Sequence, residues 1–272
     1  VAQYPVMAPH TVLLPPNLLR EGTNQLVIRT VGFAGVPKSA SGYPLIPTGS
    51  GTQGWGRNDP GIMDHIWLEF YDQAYLKQVL AVPDLAEGKV TLRMWFDTVQ
   101  PMPPEARLTA RVLSPAGGKL AGQTTSAIKL GAEPIEIVVP VRDVRPWTPR
   151  TPNLYTAELQ VERSGKTLDA VRFRFGMRTI EVKAGRYRLN DEPLWLRGSN
   201  LVSEWLWADR DNIFNSNIRT YIVDEARSMN LNCFRTHTLP PPTSWLNVSD
   251  SCGTMILAEF PVLYNYKDFK FT

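Results

Sequence analysis

The chain has 272 residues, 43% of them hydrophobic and 20% charged, which is the balance of folded globular protein and excludes a disordered chain. Its 29 basic side chains against 26 acidic ones leave a net charge of +3 with no run of one sign, so there is no footprint for nucleic acid or an anionic membrane. No stretch approaches the roughly 20 apolar residues of a membrane span, and the amino end lacks the basic-then-apolar layout of a leader.

Cys233 and Cys252 fit no metal-ligand spacing and read as buried structural thiols. His10, His65 and His237 are scattered, which makes a zinc site and, with it, a metal cofactor unexpected. From Val1 to about Tyr71 the pattern is antiparallel β: Leu26 and Ile28 follow the turn Glu21–Asn24, and Ile62, Ile66, Leu68 and Phe70 alternate with more polar neighbours. Three or four strands are too few to close a sandwich, so this part is expected to be the end of one. Between Gly32 and Gly61 lie eight glycines and four prolines without periodicity, implying a long loop. Its Gly49-Ser-Gly51-Thr-Gln-Gly54 matches the dinucleotide fingerprint only in letters, because prolines precede it and Asn58-Asp59-Pro60-Gly61 follows where a helix is required. Trp55 and Arg57 in this loop suit either a sugar or the loop's own packing.

From about Ala74 to Gly176 apolar residues alternate in evenly spaced runs: Val90, Leu92, Met94, Phe96; Leu108, Ala110, Val112; Ile135, Ile137, Val139, Val141; Tyr155, Ala157, Leu159, Val161; Val171, Phe173, Phe175. Turns at Pro115–Gly118 and Ser164–Lys166 separate them. Roughly seven strands in about 100 residues is the size of an immunoglobulin-like sandwich, here without a disulfide.

All-β patterning ends in the stretch 175–200. Short alternations at Ile180, Val182 and Tyr187, Leu189 flank the turn Asn190-Asp191-Glu192-Pro193, and the apolar run Leu194-Trp195-Leu196 reads as the first buried parallel strand, ending at Arg197-Gly198-Ser199-Asn200. Beyond it the period changes to that of a helix. Ile218, Tyr221, Ile222, Ala226 and Met229 predict an amphipathic helix over 212–229. A strand at Leu231–Arg235 follows, then a short helix with Trp245, Val248 and Cys252 on one face, then the strand Met255–Ala258. Strand, helix, strand, helix, strand predicts three parallel strands of a (β/α)8 barrel, which needs eight. Polar groups at strand ends then mark a site: Asn200, Arg235 with His237, and Glu259. A competing reading pairs Arg235 with Glu259 as a structural ion pair. Trp205 and Trp207 suit either a pyranose stacking platform or packing under the loop, and the glycosylation sequon Asn247-Val248-Ser249 falls inside the predicted helix.

The stretch Phe175-Gly176-Met177-Arg178-Thr179-Ile180 with Leu189-Asn190, Pro193, Leu196-Arg197-Gly198 and Asn200 resembles the barrel entry of the family 2 glycoside hydrolases, with Asp191 where a glycine is usual. Trp147-Thr-Pro149-Arg-Thr-Pro152-Asn-Leu154-Tyr155 is similar to the signature of that family's second domain. The resemblance implies an internal piece with three parts: the end of a sugar-binding-like jelly roll (1–73), an immunoglobulin-like sandwich (74–176) and the first three strands of a catalytic TIM barrel (177–272). It further implies a retaining exo-β-glycosidase, β-galactosidase-like, acting on carbohydrate without a cofactor. Its two glutamates, about 5 to 5.5 Å apart, would lie at the fourth and seventh strands, beyond Thr272. By the same resemblance Arg235 keeps a nucleophilic carboxylate ionised, while Asn200, His237 and Glu259 contact sugar hydroxyls. The sequence departs from the galactosidase pattern in placing His237 one residue early and Ala258 where an aspartate is usual. A carbohydrate-binding member without the glutamates is the alternative; an adhesin-like sandwich module is disfavoured by the switch to helical periodicity.

Overall fold

Alternating apolar residues become strands when each finds a hydrogen-bonded neighbour and a second sheet to bury its inner face. The computed structural model describes residues 10–30, 40, 62, 65–71, 74–98, 105–129, 134–201, 224–236 and 240–259. They fall into two compact units, Trp67–Arg197 with Val248–Met255, and Val1–Ile66 with Gly198–Asn247 and Ile256–Thr272.

In the first unit, strands β1 (Ala74–Asp84), β2 (Lys89–Thr98) and β5 (Ile135–Pro140) form one antiparallel sheet in the order β1-β2-β5. A second antiparallel sheet runs β4-β3-β6-β7, from β3 (Arg107–Leu113), β4 (Leu120–Ala127), β6 (Leu154–Arg163) and β7 (Lys166–Gly176). Register puts Leu92 opposite Ile137, and Ala110 opposite Leu159. The inward residues foreseen for β2, β3 and β6 are in the shared core except Phe96, which packs half-buried against it; Val90, Leu92, Met94, Leu108, Val112 and Val161 are wholly buried. The outward faces carry ion pairs such as Arg111 and Arg172 on Glu158, exposed enough to add little stability. Sequence periodicity overlooks β4, whose Thr124, Thr125 and Ser126 show no apolar face. The strand is nonetheless held, and Gly122 explains how: a Cβ there would stand 1.9 Å from the Pro140 carbonyl oxygen, so only glycine lets β4 approach the end of β5.

Tyr155, fully buried at the start of β6, turns its hydroxyl back onto the preceding strap. It accepts the Arg145 backbone N–H at 2.8 Å and donates to the Asp143 carbonyl at 3.4 Å. The strap continues into Trp147, which is also buried. Its indole N–H donates to the Asp250 carbonyl (2.8 Å), its backbone N–H to the Met177 carbonyl (2.9 Å), and its own carbonyl accepts the Asn190 side-chain amide (3.0 Å). The Arg178 guanidinium lies 4.7 Å from the ring centroid, and Gly176 leaves no room for a Cβ beside the Trp147 side chain.

After β7 a small antiparallel sheet, β8 (Ile180–Lys183), β9 (Arg186–Leu189) and β10 (Glu192–Pro193), turns at Ala184-Gly185 and at Asn190-Asp191. All four turn residues have positive φ, the left-handed geometry that asparagine, aspartate and glycine tolerate best. The turn expected at 190–193 is therefore present.

Two expectations are corrected. Residues 10–30 and 65–71 carry no strand; apart from a 3-10 turn at Pro16–Leu18 they have no regular structure, and Leu26, Ile28, Ile66, Leu68 and Phe70 are exposed. Alternation supplies one apolar face, but a strand also needs a ladder partner, and among the described residues these segments have none. The first strand of the second unit is β11 (Gly198–Leu201), not the run Leu194–Leu196, whose Trp195 is exposed. Gly198 packs so close to β12 (Cys233–Thr236) that a Cβ would meet the Cys233 carbonyl oxygen at 2.7 Å, so the small polar residues make the ladder. The helix foreseen over 212–229 is helical among the described residues only around Ala226–Ser228, and Met229 is exposed; residues 212–223 lie outside the described residues. The short helix expected to carry Trp245, Val248 and Cys252 on one face forms as α1 (Thr243–Cys252), with Trp245 and Cys252 buried and Val248 half-buried. It ends at Gly253, where φ is +80°.

Two outcomes follow. Tyr155→Phe removes the acceptor of the part-buried Arg145 N–H and is expected to lower stability by roughly 0.5 to 1.5 kcal/mol in urea unfolding, with m unchanged. Burial pushes the Asp250 carboxyl above its ordinary range, an effect that Arg178 and Arg174 oppose without cancelling. A raised folded pKa contributes stability that is complete below the unfolded value, about 3.9, and is lost as pH rises through the folded value. Asp250→Asn should therefore raise Tm at pH 7, and the difference should close as both proteins are taken toward about pH 3.5; a difference that widens in acid would contradict this.

Candidate functional site

In the second unit β11 and β12 run parallel, with Asn200 opposite Arg235 and Leu201 opposite Thr236, and β13 (Met255–Leu257) lies on the other side of β12. Side chains alternate along β12: Thr236 is buried, while Arg235 is half-exposed and reaches both neighbours. Its Nε donates to Glu259 Oε1 at 2.5 Å, and its Nη1 donates to Asn200 Oδ1 at 3.1 Å. A planar guanidinium suits this because its donors point in fixed, divergent directions. The Glu259 backbone N–H is in turn held by the Thr236 hydroxyl at 3.0 Å.

The fold thus brings together Asn200, Arg235 and Glu259, one from each neighbouring strand or its exit. Asn200 lies within β11, one residue before its end, because the strand starts later than the apolar run suggested. His237, Trp205, Trp207, Trp55 and Arg57 lie outside the described residues. Thr236 was missed: between Arg235 and His237 it reads as a spacer, yet its hydroxyl fixes the backbone that presents Glu259. The signal for it is position alone, since a residue beside an outward arginine in a strand must point inward.

Chemically this is a carboxylate with one oxygen on a cation and an amide whose carbonyl faces the same cation. Glu259 is only half-buried, and a carboxylate has more acceptor sites than one guanidinium N–H fills. Asn200 carries two amide donors beside it. Such a pair has the donors and acceptors to hydrogen-bond adjacent hydroxyl groups, each of which both donates and accepts. Below, Cys233 is buried in the same sheet and burial raises its thiol pKa, which suits an inert packing residue. Among the described residues no group of His, Cys, Asp or Glu could hold a metal ion.

Residues 74–178, the sandwich strands through Arg178, match the model of Glycosyl hydrolases family 2. A β-galactosidase of Thermoanaerobacter pseudethanolicus is 25% identical over 214 residues, 74% of this chain and 27% of that protein. A β-galactosidase large subunit of Latilactobacillus sakei is 26% identical over 204 residues, 73% of this chain and 31% of that one. The chain therefore spans less than a third of the length of these relatives. Among solved structures, a glycosyl hydrolase family 2 member from Bacteroides cellulosilyticus superposes with a TM-score of 0.59 at 16% identity, over 69% of this chain and 25% of that one, a likeness of fold.

The ion pair is half-exposed, so it is expected to matter little to folding. Arg235→Ala should lower stability by no more than about 1 kcal/mol in thermal or urea unfolding. A loss of 3 kcal/mol or more would identify Arg235 as a structural residue of the sheet.

Proposed function

From the match of residues 74–178 to the model of Glycosyl hydrolases family 2 and the likeness to the β-galactosidases above, we propose that this chain is a family 2 glycoside hydrolase sequence and that the protein it belongs to is a retaining exo-β-glycosidase acting on β-galactosides. In this reading residues 177–272 open a (β/α)8 barrel whose strand exits carry the sugar site. The parallel β11-β12 ladder and the helix preceding β13 support that reading, because parallel neighbours need crossover connections. In this reading the sandwich is immunoglobulin-like, a reading supported by its seven strands in two packed sheets and by Tyr155, whose hydroxyl makes a hydroxyl-to-backbone corner at the start of the sixth strand.

The observation that carries the function is the triad of Arg235 with Asn200 and Glu259 on adjacent strands. Glu259 and Asn200 hold two neighbouring hydroxyls of the terminal sugar. His237, two residues beyond Arg235, adds a third polar contact. Arg235 orients Glu259 and, with its remaining donors, keeps a nucleophilic carboxylate from a later strand ionised, since a fixed cation depresses a carboxylate pKa. The two catalytic glutamates come from elsewhere in the protein; Glu204, Glu225 and Glu259 do not take those roles.

A panel of aryl β-glycosides tests the substrate, with galactoside expected to be turned over best and proton NMR showing a β-configured first product. Preference for another sugar, glucuronide included, would overturn the galactoside assignment, and absence of hydrolysis with sugar binding retained would favour a binding protein. For the site, Arg235→Ala is expected to cut turnover by about 10²-fold or more. Glu259→Gln should lower kcat/KM on the parent glycoside far more than on its deoxy analogues, because charge-assisted bonds to hydroxyls are worth roughly 1.5 to 3 kcal/mol. Equal losses on both would remove Glu259 from the site.

A further inference from the structure

Within the second unit, Glu259 is held at two points by successive residues of one strand. Side chains alternate along β12, so Arg235 and Thr236 project to opposite faces of the sheet. Arg235, half-exposed, donates from Nε to Glu259 Oε1 at 2.5 Å. Thr236, only 1% exposed, accepts the Glu259 backbone N–H on its hydroxyl oxygen at 3.0 Å. One residue takes the carboxylate and the next takes the backbone.

The backbone contact has a reason in the ladder. β13 ends at Leu257, so Glu259 stands two residues past the last strand position, where strand pairing no longer sets the direction of the chain. A hydroxyl from the neighbouring strand supplies the acceptor that the ladder has ceased to give. Thr236 is itself well fixed: it pairs with the buried Leu201 in the parallel β11-β12 ladder, and a β-branched side chain has few rotamers to choose from. A glutamate has three rotatable side-chain bonds, and the Arg235 contact fixes only their far end. With the N–H held as well, both the origin and the tip of the side chain are set, and the freedom between them is small.

We propose that Thr236 is a positioning residue for Glu259: by anchoring the backbone of the glutamate it fixes the point from which the carboxylate reaches Arg235, and so the direction in which that carboxylate faces a ligand. Its consequence for substrate rests on the function proposed above; its consequence for the backbone does not. Being buried, Thr236 serves the site without touching substrate.

Two substitutions in the whole protein separate the hydroxyl from the bulk of the side chain: Thr236→Val keeps the branched shape and removes the acceptor, whereas Thr236→Ser keeps the acceptor. Hydrogen exchange read by mass spectrometry should show the Glu259 amide exchanging about tenfold faster in Thr236→Val, with the amides of β11 unchanged and Thr236→Ser close to the parent. On glycosides Thr236→Val should lose about tenfold in discrimination against deoxy analogues, Thr236→Ser should retain it, and adding Thr236→Val to Glu259→Gln should cost no further discrimination. An unchanged Glu259 amide in Thr236→Val overturns the proposal, and so does a serine variant as impaired as the valine one or an additive double variant. If Glu259→Gln itself leaves discrimination intact, the sugar-binding reading fails, while the exchange result still decides the positioning role. Should Thr236→Val not fold, Arg235→Ala gives the second measurement: with the hydroxyl intact the Glu259 amide should stay protected, and loss of that protection would show that Arg235 fixes this backbone and overturn the proposal.

Discussion

The indole of Trp147 is the point on which the first unit depends. It is a large apolar body that must be buried, with one N–H that must then be satisfied, and the chain meets both demands with residues distant in sequence. Asp250 supplies the acceptor, Asn190 and Met177 pair with its backbone, and Arg178 covers its face. Gly176 is glycine because anything larger would strike the ring. The strap from Pro146 to Pro152 is thus held by the end of β7, the turn after β9 and the end of α1.

That network explains why the stretch after β7 reads as a seam. The backbone of Met177, the guanidinium of Arg178 and the amide of Asn190 each have a task at Trp147, and the Asn190 carbonyl oxygen also accepts the Thr179 N–H. Separately, the second unit sets Arg235 between two acceptors on adjacent strands. Energetically the two arrangements differ. Burial and fully paired polar atoms make the first a matter of stability, whereas the half-exposed ion pair contributes little to folding.

Much of the sandwich was legible because its strands are buried on one face only, and alternation is the direct print of that geometry. Val90, Leu92 and Met94, or Tyr155, Ala157 and Leu159, leave no second reading. β4 was not legible, because a strand whose sheet position is set by a glycine and by threonines has no apolar period. The β11 strand was misplaced for the opposite reason: Leu194-Trp195-Leu196 looks buried, but the close approach at Gly198 favours small residues in the ladder. Asn200, Arg235 and Glu259 were legible as polar residues near strand ends, while Thr236 was not, since a buried hydroxyl in a strand resembles any other threonine. What periodicity alone could not supply is partner choice, which is why alternation in 65–71 did not make a strand.

The account turns on whether the face formed by Asn200, Arg235 and Glu259 receives a sugar. The most direct measurement is a crystal structure of the whole protein with β-galactose bound. The expected result is Glu259 and Asn200 each within hydrogen-bond distance of neighbouring hydroxyls of the ring, with Arg235 still donating to Glu259. A sugar bound elsewhere, with the three residues contacting only one another, would contradict it.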